Sequence, residues 1–451
     1  MILGDLDVLD VTFSRPDLDA FCRLDTLGLT VVGQQLDGSR AVLACQVREG
    51  LEQDRWCRGC GGAGRVRDSV VRRLAHVPFG WRPTVLLVRL RRYACTDCGR
   101  VWRQDLDRAA PERGKLSRDA VLWALKSLVI DRLSVARIAA ALAVAWHTVN
   151  DAVLTAGREL LIADPTRLHG VEVIGVDEHC WRHPRGRQAR DVERFVTVII
   201  DLTPVRNGTG PARLLDLVEG RSKAVFRAWL DAQSSTFRAG LQVVAMDGFT
   251  GFKTATSEAL PDAVVVMDPF HVVALAGDAL ERCRQRVQQQ TLGHRGRSGD
   301  PLYGIRRRLR TGADLLDPRQ LDRIDAVLGL EQHLPVALTW SVYQRVIAAY
   351  RQPDRGRGKA ALTALIDSLR RGVPATLPEL VTLGRTLSRR AVDVLAYFDR
   401  PGTSNGPTEA INGRLEHLRG TALGFRNLTH YMTRALLDCG GFRPALHRLL
   451  R

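Results

Sequence analysis

Two short runs constrain this chain more than any other feature: VEVIGVD at residues 171–177 and LQVVAMD at residues 241–247. Each is apolar, rich in β-branched side chains, and ends in aspartate. Runs of this length and make-up read as strands buried on both faces of an α/β sheet. A third run, AVVVMD at 263–268, has the same form. Open α/β sheets take their ligands at the carboxyl ends of the strands. The three aspartates Asp177, Asp247 and Asp268 therefore stand where a ligand would be met.

The segments between these runs extend the pattern. Residues 195–202 and 213–219 read as two further strands, with the Asn207-Gly208 and Gly210-Pro211 turn signals between them. A helix over 223–232 follows, and another carries Phe252, Ala255 and Ala259. Three early strands, then alternating helices and strands, is the order of a ribonuclease-H-like fold. From about 314 to 399 the pattern is helical, as in 336–350 and 360–369, and reads as a helical insertion in the catalytic domain.

Beyond the insertion, residues 403–415 read as a helix start. Asn405 or Gly406 can cap it, Pro407 suits the first helical position, and Glu409 falls in the first turn. A glutamate there is ordinarily a favourable contact with the helix dipole. Its weight here comes from the distant aspartates. Two aspartates and one glutamate offer the hard oxygen ligands that Mg²⁺ prefers. Two such ions, roughly 3.5–4 Å apart, can clamp the attacking and leaving oxygens of a phosphodiester. Asp268, followed by Pro269-Phe270-His271, competes with Asp247 or Glu409 as a ligand, and spacing alone leaves that choice open.

The N-terminal third has a different character. Residues 1–54 are acidic with strand-like pieces, whereas residues 55–115 carry fifteen basic and five acidic side chains. Within that basic stretch lie two Cys-x-x-Cys knuckles, Cys57/Cys60 and Cys95/Cys98, with 34 residues between them. Two such pairs fit a closed tetrahedral zinc site better than free thiols or a redox pair, and four thiolates leave no open position for catalysis. Arg91, Arg92, Tyr93, Arg100, Trp102 and Arg103 crowd the second knuckle, mixing cations and aromatics as nucleic-acid surfaces do.

Ser117 then caps a helix, and residues 134–153 have the form of a helix-turn-helix with its turn at Ala143-Val144. Trp146, His147, Thr148, Asn150 and Asp151 would face a DNA groove. An ordinary helical hairpin is the competing reading. Later, residues 281–310 carry nine basic and two acidic side chains, including Arg306, Arg307 and Arg308. With Gly293, Gly296 and Gly299 among them, a loop that follows phosphates is the expectation, against a solvated basic face.

The balance of 66 Lys and Arg against 49 Asp and Glu, a formal charge of +17, points to a polyanionic partner. Only five of the cations are lysines, so the total charge and its placement carry this inference, not a preference for arginine. No apolar run approaches the roughly 18 residues of a membrane span. The start, MILGDLD, lacks the basic opening of a signal peptide. The expectation is a cytoplasmic, nucleoid-associated protein with no membrane contact.

These pieces, in order, resemble the DDE transposases of bacterial insertion sequences, and among them the IS-L-three family. The matching residues are the two knuckles, the helix-turn-helix, Gly175-Val176-Asp177-Glu178, Glu219-Gly220-Arg221, Met246-Asp247, Asp268-Pro269-Phe270-His271, Thr408-Glu409-Ala410-Ile411-Asn412-Gly413 and Gly424-Phe425-Arg426-Asn427. The resemblance implies that Asp177, Asp247 and Glu409 are the catalytic triad and hold two Mg²⁺ or Mn²⁺ ions. It gives Asp268 and His271 a supporting role. It implies cleavage at transposon ends and transfer of the freed 3′-hydroxyl to target DNA. It further implies recognition of terminal inverted repeats in double-stranded DNA by the zinc module, with one structural Zn²⁺, and by the helix-turn-helix. Synapsis of two ends implies a homodimer or larger assembly. The expected domains are an acidic segment (1–54), a zinc module (55–110), a helix-turn-helix (115–163), a catalytic domain (168–290 and 400–451) and a helical insertion (291–399). A catalytically dead DNA-binding regulator and a structure-specific nuclease of the same fold are the competing readings.

Overall fold

The computed structural model describes residues 15–48, 55–183 and 194–450. The opening residues 1–7 used above lie outside the described residues. The chain divides into two compact units, residues 1–164 with 442–451, and residues 165–441.

The first unit is built on a five-stranded sheet ordered β1-β2-β4-β3, with β5 paired to β4. Its strands are β1 (Leu29–Leu36), β2 (Ala41–Val47), β3 (Gly64–Phe79), β4 (Arg82–Cys95) and β5 (Val101–Arg103). β2 runs parallel to β4, from Ala41 opposite Thr84 to Gln46 opposite Arg89. Strands on either side of residue 54 therefore share one sheet. The strands before it bury Leu29, Leu43 and Cys45 in the same core as Leu86, Val88 and Leu90.

Three helices follow, Arg118–Val129, Val135–Leu142 and Trp146–Gly157. Ser117 and Ser134 cap the first two, each accepting a backbone N–H from three residues on. The chain turns through 112° between the second and third. Ala143 makes that turn in the left-handed region, φ 49° and ψ 46°. The final residues return to this unit, where Leu446 of the helix Arg443–Leu449 is fully buried.

The second unit carries a mixed five-stranded sheet, β10-β9-β6-β7-β8. The strands are β6 (Val173–Cys180), β7 (Phe195–Asp201), β8 (Arg213–Glu219), β9 (Val243–Met246) and β10 (Val264–Met267). β6, β7 and β8 are antiparallel neighbours, while β9 and β10 run parallel to β6. Every residue of β9 is buried, as expected of a central strand with helices on both faces. Val173, Ile174 and Val176 are inaccessible, each contributing about 1.5–3 kcal/mol through burial. Mixed sheet and helices together make a nuclease-like core.

The helical block starts earlier than the sequence pattern suggested. The helix Pro269–Leu292 begins directly after β10 and already belongs to the block's core, packing Val272, Ala276, Leu280 and Val287 with Val336, Val346, Leu362 and Leu383. Pro301–Leu309, Pro318–Leu328, Leu334–Arg351, Arg355–Arg371, Pro378–Arg389 and Ala391–Asp399 complete the block. Among the described residues, no single helix is long and apolar enough to cross a membrane.

Candidate active site and cysteine cluster

Register brings the acidic strand ends together. Val176 pairs with Met246, and Met246 pairs with Met267, so Asp177, Asp247 and Asp268 each come next after this row on three adjacent parallel strands, Asp247 and Asp268 just past their strand ends and Asp177 within β6, paired with Val198 of β7. The fourth acid arrives on the helix Gly406–Thr421, with Asn405 as its N-cap and Glu409 in its first turn. That helix buries Thr408, Ile411, Leu415 and Leu418, one face at helical spacing. Gly175 lets this face come close. A Cβ there would stand 2.6 Å from Thr408 Oγ1 and 2.9 Å from Ile200 Cγ1, so only glycine fits beneath the helix.

One hydrogen bond links the helix to β6: Asn412 Nδ2 donates to Asp177 Oδ2 at 2.9 Å, across 235 positions. The other Asp177 oxygen accepts the Glu178 N–H at 2.8 Å. Burial, with Asp247, Glu178 and Glu409 adding repulsion, pushes the Asp177 carboxyl up to about 7. Glu409 is raised as well, by what burial it has and by the charge of Asp268. Carboxylates gathered this way repel one another and favour either a proton or a cation. Among the described residues, the one group of three or more His, Cys, Asp or Glu whose ligand atoms all lie within 4.8 Å of one another is the four knuckle cysteines, and the carboxylates Asp177, Asp247 and Glu409 do not draw that close.

Asp268 is engaged by the start of the helix that carries Glu409. It is 5% exposed, and its Oδ1 accepts the Asn405 N–H at 2.8 Å, pinning the start of the helix that carries Glu409. Its carboxyl is raised by burial, against which the Asn405 N–H works. His271 lies against the turn after Asp247, where a Cβ on Gly248 would come within 2.2 Å of His271 Nε2. Asn412 was missed from the sequence, although its spacing of three from Glu409 on a helix was a signal that both share a side.

The four cysteines gather as their spacing required. Cys57 and Cys98 sulfurs stand 3.7 Å apart, and Cys60 and Cys95 sulfurs 3.4 Å apart. Sulfurs on a tetrahedral zinc with ~2.3 Å bonds are about 3.8 Å apart, so the cage fits that ion. Backbone N–H groups of Gly59 and Cys60 bring the Cys57 thiol down to about 7, which favours the thiolate a metal needs. Close by, Tyr93 stacks on Trp102 with ring centroids 5.7 Å apart. His179, Cys180 and His183 do not form a second such site. His179 is buried and stacks on Tyr431, while Cys180 Sγ meets His183 Nδ1 at 3.6 Å.

The residues expected to meet DNA are placed unevenly. Trp146 and His147 are exposed and Thr148 is half-buried at the start of Trp146–Gly157. Asn150 is 4% exposed and cannot face a groove. It falls on the inward side of the helix with Val149, Val153 and Leu154, and its Nδ2 donates to Asp151. Arg306, Arg307 and Arg308 lie on the helix Pro301–Leu309 and not in a loop, because Leu302, Ile305 and Leu309 give that segment a buried stripe. Arg306 packs over the Tyr303 ring at 3.7 Å, and Arg307 is exposed.

A nuclease-like core with an acidic edge describes a large class of enzymes, and comparison with known proteins narrows it. The model of the ISL3 group of DDE transposases, described as "Transposase", matches residues 174–435, more than half of the chain. The chain belongs to this family. The transposase for insertion sequence element IS1557 of Mycobacterium tuberculosis is 26% identical over 325 residues, covering 67% of this chain and 68% of that protein. The transposase for insertion sequence element IS1001 of Bordetella parapertussis is 25% identical over 380 residues, covering 83% and 86%. Among solved structures, the Drosophila P element transposase strand transfer complex is similar at a TM-score of 0.41 and 10% identity, covering 73% of this chain and 92% of that one.

Proposed function

We propose that this transposase cuts the ends of its own insertion sequence and joins the freed 3′-hydroxyl to target DNA, with Asp177, Asp247 and Glu409 as the catalytic carboxylates. The hydrogen bond from Asn412 to Asp177 carries the reading, because it fastens the helix of Glu409 to the strand that bears Asp177. Two Mg²⁺ or Mn²⁺ ions held there would supply electrophilic stabilisation to the attacking and leaving oxygens. Asp177, Asp247 and Glu409 would bind them, Asn412 would orient Asp177, and Asp268 and His271 would support the helix start and the Asp247 turn.

The four-cysteine cluster would hold one structural zinc. With the helix-turn-helix, it would recognise the terminal inverted repeats in double-stranded DNA, phosphate contacts positioning the chain and base contacts specifying the sequence. Trp146, His147 and Thr148 would meet base edges, and Arg306, Arg307 and Arg308 backbone phosphates. The net charge of +17 suits such a ligand and a place on the nucleoid. The ribonuclease-H-like reading of the core rests on its order of three antiparallel strands followed by two parallel ones. Pairing of two transposon ends would require a homodimer or larger assembly. The domains proposed are a first unit for binding ends and a second whose sheet and final helices do the chemistry around the helical block.

A mobilisation assay tests this. A marker between the gene's own flanking ends is supplied with wild type or Glu409→Gln. Insertions from wild type alone are expected. Insertions from both would put the third ligand elsewhere, with Asp268→Asn next. None from either, with end binding intact, would favour the regulator reading. Cutting without joining would favour the nuclease.

A further inference from the structure

The turn after β9 holds Asp247 with few restraints of its own. Asp247 Oδ1 accepts the Phe249 N–H at 2.9 Å, which folds the chain over Gly248. Two side chains of the helical block reach this turn, His271 and Arg390. Arg390, 6% exposed, donates from Nη1 to the Gly248 carbonyl at 3.1 Å, across 142 positions.

That guanidinium is itself anchored. Its Nε donates to Asp393 Oδ2 at 2.6 Å. The same oxygen accepts Lys253 Nζ at 2.7 Å, from the helix Thr250–Ala259 that leaves the turn on its far side. Asp393, 3% exposed, thus ties the block to the turn at Gly248 and to the helix that follows it. Two cations share one buried carboxylate, which leaves a positive charge over. In addition, Arg390 Nη2 is buried with no hydrogen-bond partner among the described residues. A buried, unpaired charged donor is costly. It is retained where it has something to do, and here it sits beside the residue following Asp247.

We propose that Arg390 is a positioning residue for Asp247: the helical block delivers a guanidinium that fixes the turn at Gly248. The block is then part of the site's scaffold and not only an insertion carried by it. This rests on the reading of Asp247 as a catalytic carboxylate, and the two can fail separately.

The test uses the full chain as wild type, Arg390→Lys, Arg390→Met and Asp247→Asn. Three quantities are measured: Mn²⁺ binding by electron paramagnetic resonance, nicking of duplexes carrying the gene's flanking ends as Mn²⁺ is titrated, and binding of those duplexes in EDTA. Supporting groups around metal ligands typically change affinity 10–100-fold. Arg390→Met should therefore raise the Mn²⁺ midpoint about tenfold, leave binding in EDTA unchanged, and recover nicking at high Mn²⁺. Arg390→Lys should shift the same way, since an ammonium on Asp393 cannot also fork to Gly248. An unchanged midpoint in a folded Arg390 variant overturns the proposal, as does failure of both variants to fold, which would make Arg390 a stabilising residue only. If Asp247→Asn binds Mn²⁺ and nicks like wild type, the reading of Asp247 falls instead.

Discussion

At the scale of single residues, close approach governs the site. Gly175 touches the helix that carries Glu409, so Gly175→Ala should cost about 1–3 kcal/mol of stability through overpacking and remove nicking by lifting that helix. Gly413, on the same helix, has nothing within 4 Å of its would-be Cβ. Gly413→Ala should be neutral or gain up to about 1 kcal/mol, since glycine weakens a helix interior. Denaturant midpoints of the two variants check the contrast. Asp177 and Glu409 were legible as candidates because an aspartate closing an apolar β-branched run and a first-turn glutamate have local signatures. Asn412 was not, because its role depends on a strand 235 positions away.

At the scale of elements, two contacts in the first unit allow measurement. Ala143 holds a left-handed conformation at the turn between Val135–Leu142 and Trp146–Gly157. An L side chain there costs roughly 1–2 kcal/mol. Ala143→Gly should therefore stabilise the unit by about 0.5–1 kcal/mol after glycine's extra entropy, with DNA binding kept, as a thermal melt would report. His76 is the second contact. It lies in β3 and bridges Ser117 Oγ at 2.8 Å and the Cys22 carbonyl at 3.2 Å. Burial holds its imidazole down to about 4, against 6.5 when unfolded. The unfolded chain therefore takes up a proton that the folded chain refuses. This contribution is whole above pH ~6.5, shrinks as pH falls and is gone by pH ~4, a loss of about 3 kcal/mol. His76→Gln should flatten that part of the stability-against-pH curve. An equal slope in both proteins would assign the loss to other groups.

At the scale of the whole molecule, the two units should answer differently to metal. The purified chain should carry one zinc by elemental analysis, and Cys95→Ser should carry none. A strong chelator should loosen the cysteine end of the first unit, since structural zinc contributes folding energy outright. The second unit's sheet and helical block should melt unchanged. Loss of both transitions together would mean that the units do not unfold independently.

The sequence by itself determined the elements with strong local signals. The buried strands leading to Asp177, Asp247 and Asp268 showed in runs of β-branched residues, though the first runs on to Cys180, and the paired knuckles showed in their spacing. The helices of the insertion showed in their 3.6-residue period. Only tertiary structure decided the rest. It joined the acidic N-terminal strands to the basic module, because edge pairing follows backbone register and not net charge. It turned Asn150 inward and put Arg306–Arg308 on a helix, because burial on one face outranks polarity at single positions. It set Asp268 to hold the Asn405 N–H and Arg390 to hold the Gly248 carbonyl. Such partners are chosen by packing across 137 and 142 positions, a distance over which sequence pattern carries no directional information.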